Sequence, residues 1–246
     1  MKVEYYKEFS HELNREMQFK VYGESGIPCL VFPAQDGHFY DFENFGMIDA
    51  AKDYIESGRI QFFCCDSIDA ETWSNETGNP RERMEQHERW YHYIVDELVP
   101  LIYDINGHKE HGIMTCGCSM GAMHALNFLL RRPDIFQRVL GMSGIYHADF
   151  FFKDYHDELT YQNSPSDYLP NMQQDHPYME YYHSAEIALC CGRGAWEQEM
   201  EASLKQMEQI FQNKQVDVWI DYWGYDVSHD WYWWKKQLDY FLQFMV

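Results

Sequence analysis

Short, wholly apolar runs alternating with amphipathic stretches leave a chain few ways to fold, and this chain shows that alternation from residue 29 onward. "CLVFPA" (29–34), "IQFFCCD" (60–66) and "GIMTCG" (112–117) have no polar face, as expected of strands buried on both sides. Further strands are expected at 138–143, 186–191 and in "VDVWIDYW" (216–223). Helices are expected at 47–58, stopping at Gly58, and at 81–103, 120–131, 196–212 and 231–245. This repetition predicts a mostly parallel sheet with helices on both faces, a three-layer α/β/α sandwich. Ahead of it, residues 3–9 and 17–22 alternate apolar and polar side chains and read as two antiparallel strands.

A chain of 246 residues can bury one full α/β core, so a single domain over 1–246 is expected. Residues 147–185, between the sixth and seventh strands, are rich in aromatic, Asn, Asp and Pro residues and keep no helical or strand period. Such an insertion is expected to act as an active-site lid. A net charge of −21 repels nucleic acid and anionic membranes, so neither is expected as a partner. No apolar run approaches the ~20 residues of a membrane span and the N-terminus lacks a signal-peptide pattern; a cytoplasmic location is the simplest expectation. The seven cysteines are an odd set lying mostly in apolar runs, where a reduced thiol is a small hydrophobe. Cys116 and Cys118 have no second pair at zinc-site spacing, so no metal and no cofactor are expected.

The chemistry is concentrated at residues 117–121, Gly-Cys-Ser-Met-Gly, which fit G-x-S-x-G. The pattern carries meaning only where it joins a strand to a helix, because the serine then sits on a strained turn above the strand end. "GIMTCG" before it and "MGAMHALNFLLRR" after it supply that setting. Ser119 is therefore the candidate nucleophile. The Met120 N–H at the helix start, and the Gln35 N–H in the loop after the third strand, are the candidate oxyanion donors. A carboxylate at the adjacent Asp36 would oppose an oxyanion unless it points to solvent.

A serine hydroxyl needs a base, and in an α/β-hydrolase the chain order is Ser, acid, His, with the histidine after the last strand. Of twelve histidines, His229 occupies that place, just before the final helix. The acid should follow the seventh strand, where "GRGAWEQEME" holds no aspartate and Glu197 is the first carboxylate. A solvated first-turn glutamate is the competing reading of Glu197, and Asp221 and Asp149 are the fallback acids.

"GCSMGA", "RRPDIFQRVLGMSGIY", "CGRGAWE" and "WGYDVSHDWYWW" together make the chain, from about Val31 to its end, resemble the putative-esterase branch of the α/β-hydrolases. That branch includes esterase D-like thioesterases and mycolyltransferase antigens. The resemblance implies an α/β-hydrolase fold with about eight strands, a Ser–acid–His triad and hydrolysis of a small-molecule carboxylic ester through an acyl-enzyme. Members of the branch often carry an aspartate shortly after the strand, and Glu197 stands as a shifted substitute. Acyl transfer by the same triad and a non-catalytic binding module are the competing functions. Phe150, Phe151, Phe152, Tyr155, Tyr161, Tyr168 and Tyr178 either shape the pocket or pack the insertion. In the last helix Trp231, Trp234 and their neighbours form a core-packing face, and any exposed remainder would be a homodimer interface.

Overall fold

Eight strands form one sheet: β1 (Val3–Ser10), β2 (Arg15–Tyr22), β3 (Ile27–Phe32), β4 (Ile60–Cys65), β5 (Ile113–Cys118), β6 (Phe136–Met142), β7 (Glu186–Cys191) and β8 (Trp219–Tyr222). Their order is β1-β2-β4-β3-β5-β6-β7-β8. β1 and β2 pair antiparallel with each other and β2 with β4, whereas every later pairing is parallel. The computed structural model describes residues 1–107 and 112–246.

Successive strand residues point to opposite faces, and the two faces carry separate cores. Leu30, Phe32, Val139 and Leu189 face one side, under Trp90, Ile94, Leu126 and Met207 from the helices. Cys29, Val31, Leu140 and Ala188 face the other, under Ile48, Trp234, Leu238 and Phe241. This is the expected three-layer sandwich. All seven cysteines are buried and free of disulfides. Cys29, Cys64, Cys116, Cys118 and Cys190 share the second face, where small side chains let the aromatic helix Trp231–Met245 lie close to the sheet. Among the described residues no helix is long and apolar enough to cross a membrane.

Three elements differ from the sequence expectation. The helix read at 47–58 is broken at Ala51 into Met47–Ala50 and Lys52–Glu56. Met47, Ile48, Tyr54 and Ile55 are the buried positions of the two segments. The helix read at 81–103 spans Pro80–His92, a π-helical stretch Tyr93–Leu98 and Val99–Asn106. Pro100 explains the wide turns: it has no N–H for the carbonyl four residues back, and its ring needs room there. The insertion is helical, with segments Asp149–Phe152, Glu158–Gln162, Pro165–Asn171 and Tyr178–Ser184. Each spans one or two turns, too few for a 3.6-residue period to register. It packs against several helices: Asn163 Nδ2 donates to Glu88 Oε1 of the helix Pro80–His92 at 2.7 Å, and Arg131 of the helix Met120–Arg131 bonds both Glu88 oxygens at 2.9 and 2.8 Å.

Below the same helix lies a buried polar cluster. His124 Nε2 is 3.0 Å from Asp69 Oδ1, and His87 stacks on His124 with ring centroids 5.5 Å apart. Trp73 Nε1 donates to His87 Nδ1 at 3.1 Å, which fixes His87 as the neutral tautomer protonated on Nε2. Burial, reinforced by His124, pushes the His87 pKa down to about 3. Below about pH 6.5 the unfolded chain therefore takes up a proton that the native state refuses, and stability falls as pH drops towards 3. His87→Gln keeps an acceptor for Trp73 and removes the titration. In urea denaturation from pH 6.5 to 4.5, the wild type should lose up to ~1.4 kcal/mol per pH unit more than the variant. Parallel losses would contradict the assignment.

Candidate active site

The register of the parallel strands sets up the site. Cys118, Met142, Cys190 and Asp221 stand in one row across β5, β6, β7 and β8, so the chain leaves the sheet at a common edge. Ser119 follows the first of these residues with φ 57° and ψ −122°, a backbone state few non-glycine residues hold. Its N–H donates to Met142 O at 2.8 Å, which ties the strained turn to the neighbouring strand. The helix Met120–Arg131 starts immediately afterwards. The two glycines of the motif make this possible. A Cβ on Gly117 would lie 2.2 Å from the Gly121 carbonyl, and one on Gly121 would lie 2.4 Å from Phe32 O.

The segment after β7 and the segment after β8 are laced together by backbone hydrogen bonds. Arg193 N donates to Gly224 O at 3.2 Å, Gly194 N to Val227 O at 2.8 Å and His229 N to Ala195 O at 3.0 Å. This lacing brings Glu197 and His229 together. Glu197 is fully buried, and its Oε1 lies 3.6 Å from His229 Nδ1. Glu197 Oε2 and His229 Nδ1 are both buried without a hydrogen-bond partner among the described residues. A small shift of the ring or the carboxylate would let Nδ1 donate to Glu197, and the energetic cost of unpaired burial favours it. The same Oε1 is held in place: Ser143 Oγ donates to it at 2.6 Å and accepts from Trp234 Nε1 at 3.0 Å. The Trp234 ring also meets the His229 ring edge-on, with centroids 4.8 Å apart.

Neither fallback acid stands there. Asp149 is 3.7 Å from His156 on the exposed insertion, and Asp221 lies within β8. Ser143 and Trp234 were not singled out as site residues by sequence. Trp234 reads as one more apolar position of a helix. Ser143 is a lone serine at a strand end, marked in the structure by a positive φ of 56°.

Ser119, Met120, Gln35 and His229 all line one cavity of about 430 Å³. Ser119 Oγ and the His229 ring share this space without a hydrogen bond between them, a gap that substrate binding commonly closes. Among the described residues the Met120 and Gln35 N–H groups donate to no other backbone or side-chain acceptor. Gln35 and Asp36 are the central residues of a turn closed by Gly37 N to Ala34 O at 2.8 Å, and Asp36 is exposed to solvent. Ile145, Phe150, Phe151 and Met200 give the cavity an apolar wall, and Trp196, Gln198 and Glu199 complete its lining. Of the insertion's aromatics, only Phe150 and Phe151 reach it. Phe152 is buried beneath the Arg83 guanidinium, 4.1 Å from its ring centroid, and Tyr155 donates to Asp157. Tyr161, Tyr168 and Tyr178 line a separate groove with Tyr91 and Arg131. The lid expectation therefore reduces to one short helical wall.

A mostly parallel eight-stranded sheet, helices on both faces and a strained serine between β5 and a helix define an α/β-hydrolase fold. A family model described as "Putative esterase" matches residues 10–245; the chain belongs to that family and is a carboxylic ester hydrolase. Among solved structures, a ferulic acid esterase superposes with TM-score 0.77 at 17% identity, covering 99% of this chain and 97% of that one. An S-formylglutathione hydrolase from Agrobacterium tumefaciens gives 0.75 at 15% identity, with 98% and 93% covered. A fluorophosphonate-binding serine hydrolase of Staphylococcus aureus gives 0.72 at 12% identity, with 99% and 98% covered. At these identities the likeness is one of fold. Among curated protein sequences none matches.

Ser143→Ala should leave Glu197 Oε1 buried without its donor and Trp234 without its acceptor, costing about 1–3 kcal/mol in denaturant unfolding. An unchanged midpoint in Ser143→Ala would contradict the link.

Proposed function

We propose that Ser119, His229 and Glu197 form the triad of a serine esterase acting on a small-molecule ester. The observation that carries this reading is the buried Glu197 carboxylate, whose Oε1 lies 3.6 Å from His229 Nδ1, an Nδ1 that has no other partner among the described residues. A carboxylate without exposure is costly unless it serves donors or a cation; the Ser143 hydroxyl is one such donor, and the imidazole is the ionisable group beside it. Held by Ser143, Glu197 orients the ring with Nδ1 protonated and Nε2 free to act as base.

His229 Nε2 takes the Ser119 proton as Oγ attacks the ester carbonyl. The N–H groups of Met120 and Gln35 receive the oxyanion, each contributing on the order of 3 kcal/mol to the transition state, and the helix N-terminus adds its positive potential. Exposure of Asp36 removes a nearby carboxylate from the oxyanion's surroundings. The imidazolium, stabilised by Glu197, then protonates the leaving alcohol. Water repeats the sequence on the acyl-enzyme and releases the acid.

Ser119→Ala should reduce turnover of p-nitrophenyl acetate to background and abolish labelling by a fluorophosphonate probe. Retained turnover or labelling would remove Ser119 from the mechanism. Glu197→Gln, nearly isosteric, should lower kcat by roughly 10²- to 10⁴-fold with little change in KM. A loss below threefold would exclude Glu197 as the orienting acid.

A further inference from the structure

We propose that the esters this site prefers are those of amino alcohols, whose cationic end rests on Trp196 and Glu199 while the ester lies over Ser119. The inference rests on the esterase reading above and extends it to the substrate's leaving half.

Trp196 is 80% exposed, far more than the other tryptophans the structure buries, and it holds φ at +67°. An open indole costs solvation, and a tryptophan in the left-handed region is strained, so neither is what packing alone would select. Both features occur at the wall of the cavity that contains Ser119. Three residues on, Glu199 lines the same cavity, is exposed, and makes no ion pair among the described residues. No Lys or Arg lines this cavity. The neighbouring basic group on the segment, Arg193, is already engaged, with Nε 3.2 Å from Glu201 Oε1 and its guanidinium 5.1 Å from the Tyr222 ring centre. The site therefore offers an exposed indole and a carboxylate without an ion-pair partner among the described residues, within a protein of net charge −21. A cation is the ligand both attract, the face through its quadrupole and the carboxylate through charge.

The position of these two residues selects the alcohol half of the ester. Trp196 and Glu199 belong to the segment that carries Glu197, and the adjacent Ala195 O accepts from His229 N at 3.0 Å. They thus stand on the histidine side of the cavity, whereas Met120 and Gln35 stand on the oxyanion side. The alcohol leaving the acyl carbon takes its proton from His229 and must lie on that side. In the reaction the acyl C–O bond breaks, the acyl carbon joins Ser119 Oγ, and the amino alcohol departs with the proton from His229.

Acetylcholine and its uncharged carbon isostere, 3,3-dimethylbutyl acetate, differ in little but the charge. At constant ionic strength, kcat/KM should favour acetylcholine at least tenfold in the wild type. Trp196→Ala and Glu199→Gln should each cut this ratio threefold or more, and the double variant should bring it near one. Taking the ratio within each variant cancels any general loss of activity. A wild-type ratio of one or less, or a ratio unchanged in both variants, overturns the proposal. Calorimetric titration of choline into Ser119→Ala protein separates this from the esterase reading. Binding that Trp196→Ala weakens upholds the cation site even if Ser119 proves not to be the nucleophile, and no heat of binding overturns it.

Discussion

The site depends first on how closely the start of the helix Met120–Arg131 approaches β3 and β5. The backbone of Gly121 lies against Phe32 and that of Gly117 against Gly121, with less room than a methyl group requires. That contact forces the chain to turn within one residue. Ser119 therefore takes an unfavourable φ, and the hydrogen bond to Met142 O holds it there. The strain is supported from three strands at once, which is why a reactive hydroxyl can stand at a fixed point on the sheet edge. The Met120 N–H, fixed by the same turn, opens beside it.

A second constraint is electrostatic. An ionisable group sealed from water must be satisfied from within the protein. Glu197 meets this by accepting from Ser143, which is in turn oriented by Trp234 of the last helix. The end of β6, the acid segment and the C-terminal helix are thus joined in a single chain of contacts behind His229. The backbone bonds between residues 193–195 and the 224–229 segment keep that chain in register. Stability and catalytic geometry are coupled here, since loosening the last helix would release the carboxylate and the imidazole together. The His87–His124–Asp69 cluster meets the same constraint differently, by holding His87 neutral.

The insertion divides by use. Its first short helix supplies Phe150 and Phe151 to the cavity, while Asn163 and Tyr168 further along bond Glu88 and Asn127 on the helices Pro80–His92 and Met120–Arg131. An aromatic-rich segment looks like a lid in sequence because burial and ligand contact select the same side chains. Phe152 and Tyr168 are spent on packing and internal hydrogen bonds instead.

Much of this was legible from residue order alone. Strands buried on both faces and amphipathic helices have distinct periods, so the three layers follow from them, and Gly117, Ser119 and Gly121 carry their meaning in their spacing. His229 is legible from its place after the last strand, and Glu197 from being the first carboxylate after β7. What sequence order cannot express is mutual distance. Only the folded chain brings Glu197 rather than Asp221 or Asp149 to the imidazole, because that proximity comes from backbone bonds between two loops some thirty residues apart. The same reason hides Ser143 and Trp234, ordinary residues whose role arises from the groups they meet. The sequence by itself determined the sheet, the elbow and the candidate residues. Tertiary structure decided which of them share a cavity and what holds the carboxylate in place.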